Sequence, residues 1–192
     1  MIRIITDSAA DLTAQDLAQP GVAVVPMCVT FADDTTVEDD GRMTRDEFFT
    51  HLANDPKLPR TSQPSPAAFM EAYADAELAG EEAVVITVAA KLSGTYQSAK
   101  LAAEDVDTKV YVIDSETATQ GEALIVREAL RLREEGLTAG EIAEALERFK
   151  KRIRIVAVVD SLKHLHKGGR IPAAVAIVGG ALGIKPVIAL YD

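Results

Sequence analysis

Two hydroxyl-bearing segments of this chain have the residue types that bind a small anion. In the first segment, Lys91–Ala99, Ser93 follows an apolar run and precedes a stretch that is typical of a helix. Serine is favoured at the N-cap of a helix, and the free backbone N–H groups there attract anions together with the helix dipole. The Ser93 hydroxyl and the N–H groups of Gly94 and Thr95 therefore predict one side of an anion-binding site.

The second segment, Thr61–Pro66, is a hydroxyl-rich stretch that we interpret as a loop. Within it, Ser65 followed by Pro66 predicts a helix N-cap with proline at the first helical position. Either segment alone is also the pattern of an ordinary helix cap. Two such segments in one chain favour a site for a small anionic head group.

The elements that must position these segments alternate between strands and helices. An alternation of this kind predicts an α/β fold, with a mostly parallel sheet and helices on both faces. In open sheets of this type, ligands bind beyond the carboxyl ends of the strands, where Ser93 is expected. The main predicted strands are Ile2–Thr6, Val22–Phe31, Ala83–Ala90 and Lys109–Ile113.

Near residue 150 the composition changes, so we predict one α/β lobe over residues 1–150 and part of a smaller α+β lobe over residues 151–192. The predicted elements of the second part are a strand at Arg154–Val159, an apolar helix at Pro172–Ile184 and a strand at Lys185–Leu190.

Composition limits the partners that we expect. The chain has 192 residues and a net charge of −10, which argues against nucleic acid and allows at most transient contact with an anionic membrane. The single cysteine, Cys28, excludes an intramolecular disulfide, and with no signal peptide at the N-terminus we expect a cytoplasmic protein. The longest apolar stretch, Ile171–Ile184, is too short to span a bilayer.

Three histidines are the remaining candidates for metal ligands. His164 and His166 lie two positions apart and are expected to point in different directions, and His51 is distant in sequence. With no cysteine beside them they do not form a recognisable metal set, so we expect neither a metal nor another cofactor.

Five short motifs occur along the chain in a fixed order: Ile5–Ser8, Thr61–Ser65, Leu92–Tyr96, Val112–Ser115 and Lys167–Ile171. The sequence resembles the DegV family of bacterial fatty-acid-binding proteins over essentially all of its length. The resemblance implies a binding protein rather than an enzyme. It would bind a long-chain fatty acid such as palmitate and present the carboxylate to a separate kinase subunit, which forms an acyl phosphate.

The same resemblance implies roles for individual residues. The hydroxyls of Thr61 and Ser93 would hydrogen-bond the carboxylate, with Ser62, Gly94 and Thr95 beside them. Arg170 would lie near the head group, where a guanidinium can stabilise a phosphoryl group during transfer. Relatives continue beyond the last residue here, through a lobe whose histidine also reaches the carboxylate. We therefore expect an incomplete acyl pocket in the present sequence.

An enzymatic function is the alternative. A small-molecule phosphotransferase would use the Arg170 loop, and a hydrolase would use Ser93. Ser93 lies in Leu-Ser-Gly-Thr rather than in a Gly-x-Ser-x-Gly elbow, and the sequence has no Walker loop for a nucleotide. We interpret Asp7 and Asp114, which end two predicted strands, as structural residues, because a carboxylate beside a bound carboxylate is unfavourable.

Overall fold

The computed structural model of the chain describes residues 1–172 and 185–190. The predicted apolar helix, except for its first residue, Pro172, lies outside the described residues. In the described part the strands are β1 (Arg3–Asp7), β2 (Val22–Val25), β3 (Cys28–Thr30), β4 (Thr36–Glu38), β5 (Arg60–Ser62), β6 (Ala83–Thr87), β7 (Val110–Asp114), β8 (Ile155–Val158) and β9 (Val187–Leu190). The α-helices are α1 (Ala14–Leu17), α2 (Arg45–Asn54), α3 (Pro66–Leu78), α4 (Thr95–Ala103), α5 (Gln120–Glu134), α6 (Ala139–Phe149) and α7 (Lys163–Lys167).

A four-stranded parallel sheet forms the centre of the molecule, with the strand order β2-β1-β6-β7. Strand β1 pairs on one side with β2, where Ile4 lies opposite Val22, and on the other side with β6, where Ile4 lies opposite Val84. All residues of β6 are buried, as expected for a central parallel strand that is covered on both faces. The prediction of an α/β fold with a parallel sheet is confirmed.

Helices cover both faces of this sheet because successive strand residues point to opposite sides. On one face, Ile4 and Val84 belong to a core cluster that includes residues of α5 and α6. On the other face, Ile5 and Val85 belong to a second cluster with residues of α3 and α4. The two cores hold the carboxyl ends of the central strands in fixed positions.

A second, antiparallel sheet with the order β4-β3-β5 was not predicted. The segment Val22–Phe31, interpreted as one strand or a bent pair, divides at Pro26 and Met27 into β2 of the central sheet and β3 of the second sheet. The acidic segment 32–41, interpreted as a loop, contains β4, which pairs with β3 through a tight turn. The short strands have few apolar residues, so their pattern is weak in the sequence.

The described part of the C-terminal region contains the predicted strands, as an antiparallel pair of β8 and β9. Val158 lies opposite Val187, and both side chains are about two-thirds exposed, at 66% and 64%. The predicted boundary near residue 150 stays a prediction. None of the described helices is both long and apolar enough to cross a membrane.

Candidate functional site

The Ser93 loop connects β6 to α4 at the carboxyl edge of the central sheet. The prediction that Ser93 is the N-cap of this helix is wrong, since Gly94 occupies the N-cap position and helix α4 begins at Thr95. The reason is a separate turn before the helix, in which the Leu92 and Ser93 N–H groups both donate to the Ala89 carbonyl, at 2.9 and 3.2 Å. The Ser93 hydroxyl lies 2.8 Å from the Thr95 hydroxyl and accepts a hydrogen bond from the Thr95 N–H at 3.4 Å, so this N–H is not free for an anion, contrary to the prediction.

The hydroxyl of Ser93 therefore keeps hydrogen-bonding capacity for a ligand. A hydroxyl donates one hydrogen bond and accepts two, so the two contacts with the hydroxyl and the N–H of Thr95 leave one position open. Ser93 is half-buried, whereas Thr95 is fully buried. Among the described residues, no histidine or carboxylate hydrogen-bonds the Ser93 hydroxyl, so those residues do not place a general base beside it.

The Thr61 segment is not the predicted loop over its full length. Thr61 and Ser62 lie in β5, where Thr61 faces Val29 and Ser62 faces Cys28 of the neighbouring strand. The unpaired edge of β3 offers backbone hydrogen bonds to this stretch, which explains the strand. The helix start was predicted correctly, because the Ser65 hydroxyl accepts a hydrogen bond from the Ala68 N–H, at 3.2 Å, and Pro66 is the first helical residue.

Gln63 and Gly94 bring the two hydroxyl-bearing segments together. The Gln63 side-chain amide donates to the Ser98 hydroxyl on α4, at 3.1 Å. A Cβ atom added at Gly94 would lie only 2.2 Å from the Gln63 side-chain oxygen. A glycine at this position therefore permits the Thr61 segment to pack closely against the start of α4.

Arg170 completes the group of predicted site residues. Its Nε atom donates to the Leu92 carbonyl at 3.3 Å, and its Nη1 atom donates to the Gly168 carbonyl at 2.6 Å. Arg170 and Thr61 also line one cavity of about 500 Å³. The structure thus brings Thr61 and Arg170 to one cavity and ties Arg170 to the residue that precedes Ser93.

Two aspartates stabilise the loops of this edge, as expected. The buried Asp7 carboxylate accepts hydrogen bonds from the N–H groups of Ala9 and Val88, at 2.9 and 2.8 Å. Asp114 accepts from Ala90 and Glu116, both at 3.0 Å. Burial raises the pKa of Asp7 to about 6, against the lowering effect of its two backbone hydrogen bonds.

Sequence reasoning missed a buried carboxyl group beneath this edge. Glu122, at the start of α5, is fully buried, and its Oε1 atom accepts a hydrogen bond from the Thr6 hydroxyl at 3.0 Å. Its Oε2 atom has no partner among the described residues. Burial raises the pKa of Glu122 well above its usual range, and the nearby charge of Asp7 adds to this effect. The one signal in the sequence is a glutamate inside an apolar helical run.

The histidines do not gather into a site. His164 lies on α7 and lines the cavity of Arg170, whereas His51 lies on α2 and contacts Phe31, with ring centroids 4.2 Å apart. Within residues 1–172 and 185–190, no group of three or more metal-ligating side chains is close enough to hold a metal ion.

The chain is an α/β protein in which two hydroxyl-bearing segments meet near the carboxyl edge of the central sheet. The family model described as "Uncharacterised protein, DegV family" matches residues 1–192. A DegV domain-containing protein from Caldanaerobacter subterraneus subsp. tengcongensis is 35% identical over 192 residues, which cover all of this chain and 68% of the relative. The chain belongs to the DegV family.

Solved structures of relatives have the same fold. A stearic-acid-binding protein from Eubacterium ventriosum superposes with a TM-score of 0.89 at 35% identity, and the match covers all of this chain and 68% of that one. The fatty acid kinase (Fak) B3 protein of Streptococcus pneumoniae, loaded with linoleic acid, superposes with a TM-score of 0.88 at 28% identity, covering 100% and 69%. Both of these relatives bind a fatty acid, and a fatty-acid-binding family is what the resemblance of the sequence predicted.

Proposed function

We propose that this chain binds a long-chain fatty acid whose carboxylate is held by the hydroxyls of Thr61 and Ser93. Ser62, Gly94 and Thr95 complete the surroundings of the carboxylate, and Arg170 lies beside it. The observation that carries the proposal is the convergence of the Thr61 segment, the Ser93 loop and Arg170 at one edge of the sheet. The relatives that bind stearic and linoleic acid support it.

Neutral donors suit a carboxylate that must react afterwards. A hydroxyl that donates to a carboxylate contributes about 1.5–3 kcal/mol, so two of them give useful affinity. Neither hydroxyl forms an ion pair with the carboxylate, so the carboxylate oxygen atoms stay nucleophilic. We infer that the protein presents the carboxylate to a separate kinase in the cytoplasm, which forms the acyl phosphate. The named relative in a fatty acid kinase system supports this role.

The direct test is to identify the small molecule that copurifies with the protein. Extraction followed by mass spectrometry is expected to release a saturated or monounsaturated long-chain fatty acid, such as palmitate, close to one equivalent per chain. Incubation with ATP and a fatty acid kinase should then convert that fatty acid to its acyl phosphate only when this protein is present. Recovery of a nucleotide or a sugar phosphate in place of a lipid would contradict the proposal.

A further inference from the structure

The Ser93 loop is attached to the strands on both sides of β6. Strand β6 lies between β1 and β7 and ends at Thr87. The next three backbone N–H groups all donate hydrogen bonds to acceptors from these neighbouring parts of the sheet. The hydrogen bonds run from Val88 to Asp7 Oδ2 at 2.8 Å, from Ala89 to the Thr117 carbonyl at 2.8 Å, and from Ala90 to Asp114 Oδ1 at 3.0 Å.

This anchored stretch determines where Ser93 lies. The Ala89 carbonyl accepts hydrogen bonds from the N–H groups of Leu92 and Ser93, at 2.9 and 3.2 Å. These two bonds close the turn that leads into helix α4. A movement of Ala89 would therefore move the turn, and the Ser93 hydroxyl would move with it.

The two aspartates form their hydrogen bonds in different ways. Asp7 uses both carboxylate oxygens, because Oδ1 accepts from the Ala9 N–H at 2.9 Å while Oδ2 accepts from the Val88 N–H. Among the described residues, Asp114 uses Oδ1 alone, which accepts two backbone N–H groups at 3.0 Å each. The side chain of asparagine has one acceptor oxygen and one NH₂ donor. Asparagine can therefore form the hydrogen bonds of Asp114, but at Asp7 its NH₂ group would face a backbone N–H.

The burial of Asp7 supports a role in organising this loop. Asp7 is fully buried, and burial disfavours the charged form of a carboxyl group. A charged acceptor also forms stronger hydrogen bonds with backbone N–H groups than a neutral acceptor does. A carboxylate that is unfavourable to bury thus lies where it fixes the start of the loop that carries Ser93.

We propose that Asp7 and Asp114 are positioning residues for fatty-acid binding, which hold the Ser93 loop so that the Ser93 hydroxyl can donate to the carboxylate. This inference rests on the proposed function. Asp7 holds the loop from the side of β1, and Asp114 holds it from the side of β7. The affinity for a fatty acid therefore depends on two side chains that act through the loop and do not bind the ligand themselves.

Substitutions by asparagine and alanine test the proposal. The variants are Asp7→Asn, Asp114→Asn and Asp114→Ala, each made in the wild type and in a Ser93→Ala background. Each protein is titrated with a fluorescent fatty acid at pH 8, above the pKa of Asp7 of about 6, and its stability is measured by urea unfolding. The matched control is Asp75→Asn, because Asp75 is exposed on α3.

The expected result is a difference between the two asparagine variants. Asp7→Asn and Asp114→Ala should each weaken fatty-acid binding about tenfold, the size expected for one lost hydrogen bond to the ligand carboxylate. Asp114→Asn and Asp75→Asn should bind like wild type. In the Ser93→Ala background, Asp7→Asn and Asp114→Ala should have little further effect on affinity, because the hydroxyl that they position is absent.

The cycle with Ser93→Ala separates positioning from a purely structural role. If Asp7→Asn and Asp114→Ala lower stability but leave affinity unchanged, or lower affinity equally with and without the Ser93 hydroxyl, the positioning role is refuted and the proposed function stands. Equal losses of affinity in Asp114→Asn and Asp114→Ala would also contradict it. If Asp7→Asn does not fold, the two Asp114 variants decide the question. If wild type binds no fatty acid, the proposed function itself fails.

Discussion

Replacing Gly94 by alanine tests the contact between the two segments of the site. The added Cβ atom would lie 2.2 Å from Oε1 and 2.7 Å from Nε2 of Gln63, so the Gln63 side chain must move. Gly94 has φ −78°, which alanine adopts without strain, so the backbone itself does not oppose the change. The displaced side chain loses its hydrogen bond to Ser98.

The expected loss in the free energy of unfolding of Gly94→Ala has two parts. Losing the hydrogen bond between Gln63 and Ser98 costs about 1 kcal/mol. Alanine is also a poorer N-cap residue than glycine, which adds up to about 1 kcal/mol. In a Gln63→Ala background the collision is absent, and only the second part remains. The double-mutant cycle should therefore give a coupling energy of about 1 kcal/mol between the two positions.

Urea unfolding of the wild type, both single variants and the double variant measures this coupling. Fatty-acid titration of the same four proteins measures the effect on the site. Gly94→Ala should weaken binding, because the displacement of Gln63 separates the Thr61 segment from the Ser93 loop, and Gln63→Ala should recover part of that loss. If the changes in the free energy of unfolding caused by the two substitutions add within about 0.5 kcal/mol, the packing of the two segments does not depend on this contact.

Two further predictions concern buried charges. Because the folded-state pKa of Asp7 is raised from 3.8 to about 6, and that of Glu122 is raised as well, the native state binds more protons than the unfolded state across this range. The free energy of unfolding should therefore fall as pH rises from about 4 to 6, by up to about 3 kcal/mol for Asp7. Glu122→Gln should reduce the dependence of this free energy on pH, which urea unfolding at several pH values measures. An unchanged pH dependence in the variant would contradict the assignment. Two hydrogen bonds from Arg127 to Asp16, of 2.9 and 2.8 Å, hold the pKa of Asp16 well below its usual range. This pair therefore stabilises the fold above about pH 4, and its contribution is lost in acid. Arg127→Met should cost about 1–3 kcal/mol at pH 7 and distinctly less at pH 3, whereas an equal cost at both values would show that the pair does not act through the Asp16 charge.

Local sequence signals predicted the fold where they were strong. The apolar strand β6 lies within its predicted range, and helices α2 and α6 begin at capping boxes formed by Thr44 and Thr138. These elements depend on patterns within a few residues of each other, such as a hydroxyl followed three positions later by a glutamate. The parallel sheet followed from the alternation of strands and helices.

Long-range pairing is what the sequence concealed. Strand β5 exists because Thr61 lies opposite Val29, 32 positions earlier in the chain, and no local pattern specifies that partner. The contact between Gln63 and Gly94 likewise joins two segments that are distant in sequence. Ser93 was assigned to a helix cap because the turn before the helix, which is closed by hydrogen bonds to the Ala89 carbonyl, has no clear sequence signature.

The cavity that Thr61 and Arg170 line was predictable only in part. Arg170 was singled out from the Lys167–Ile171 motif, whereas His164 was considered only as a metal ligand. Their convergence with Arg60 depends on how α7 and the following turn approach β5, which is a property of the tertiary fold. The buried Glu122 was missed for the same reason, since its burial depends on the packing of α5 against β1.

The most direct test of the carboxylate site is the affinity of Thr61→Val for a fluorescent fatty acid. Valine has nearly the shape of threonine and favours strands, so the variant removes the hydroxyl with little change to β5. Thr30→Val is the matched control, because the Thr30 hydroxyl contacts the Thr36 hydroxyl in the same sheet, at 2.8 Å, and Thr30 does not line the cavity of Thr61 and Arg170. Thr61→Val should weaken binding about tenfold with an unchanged melting temperature, and the control should bind like wild type. Wild-type affinity in Thr61→Val would place the carboxylate elsewhere in the protein.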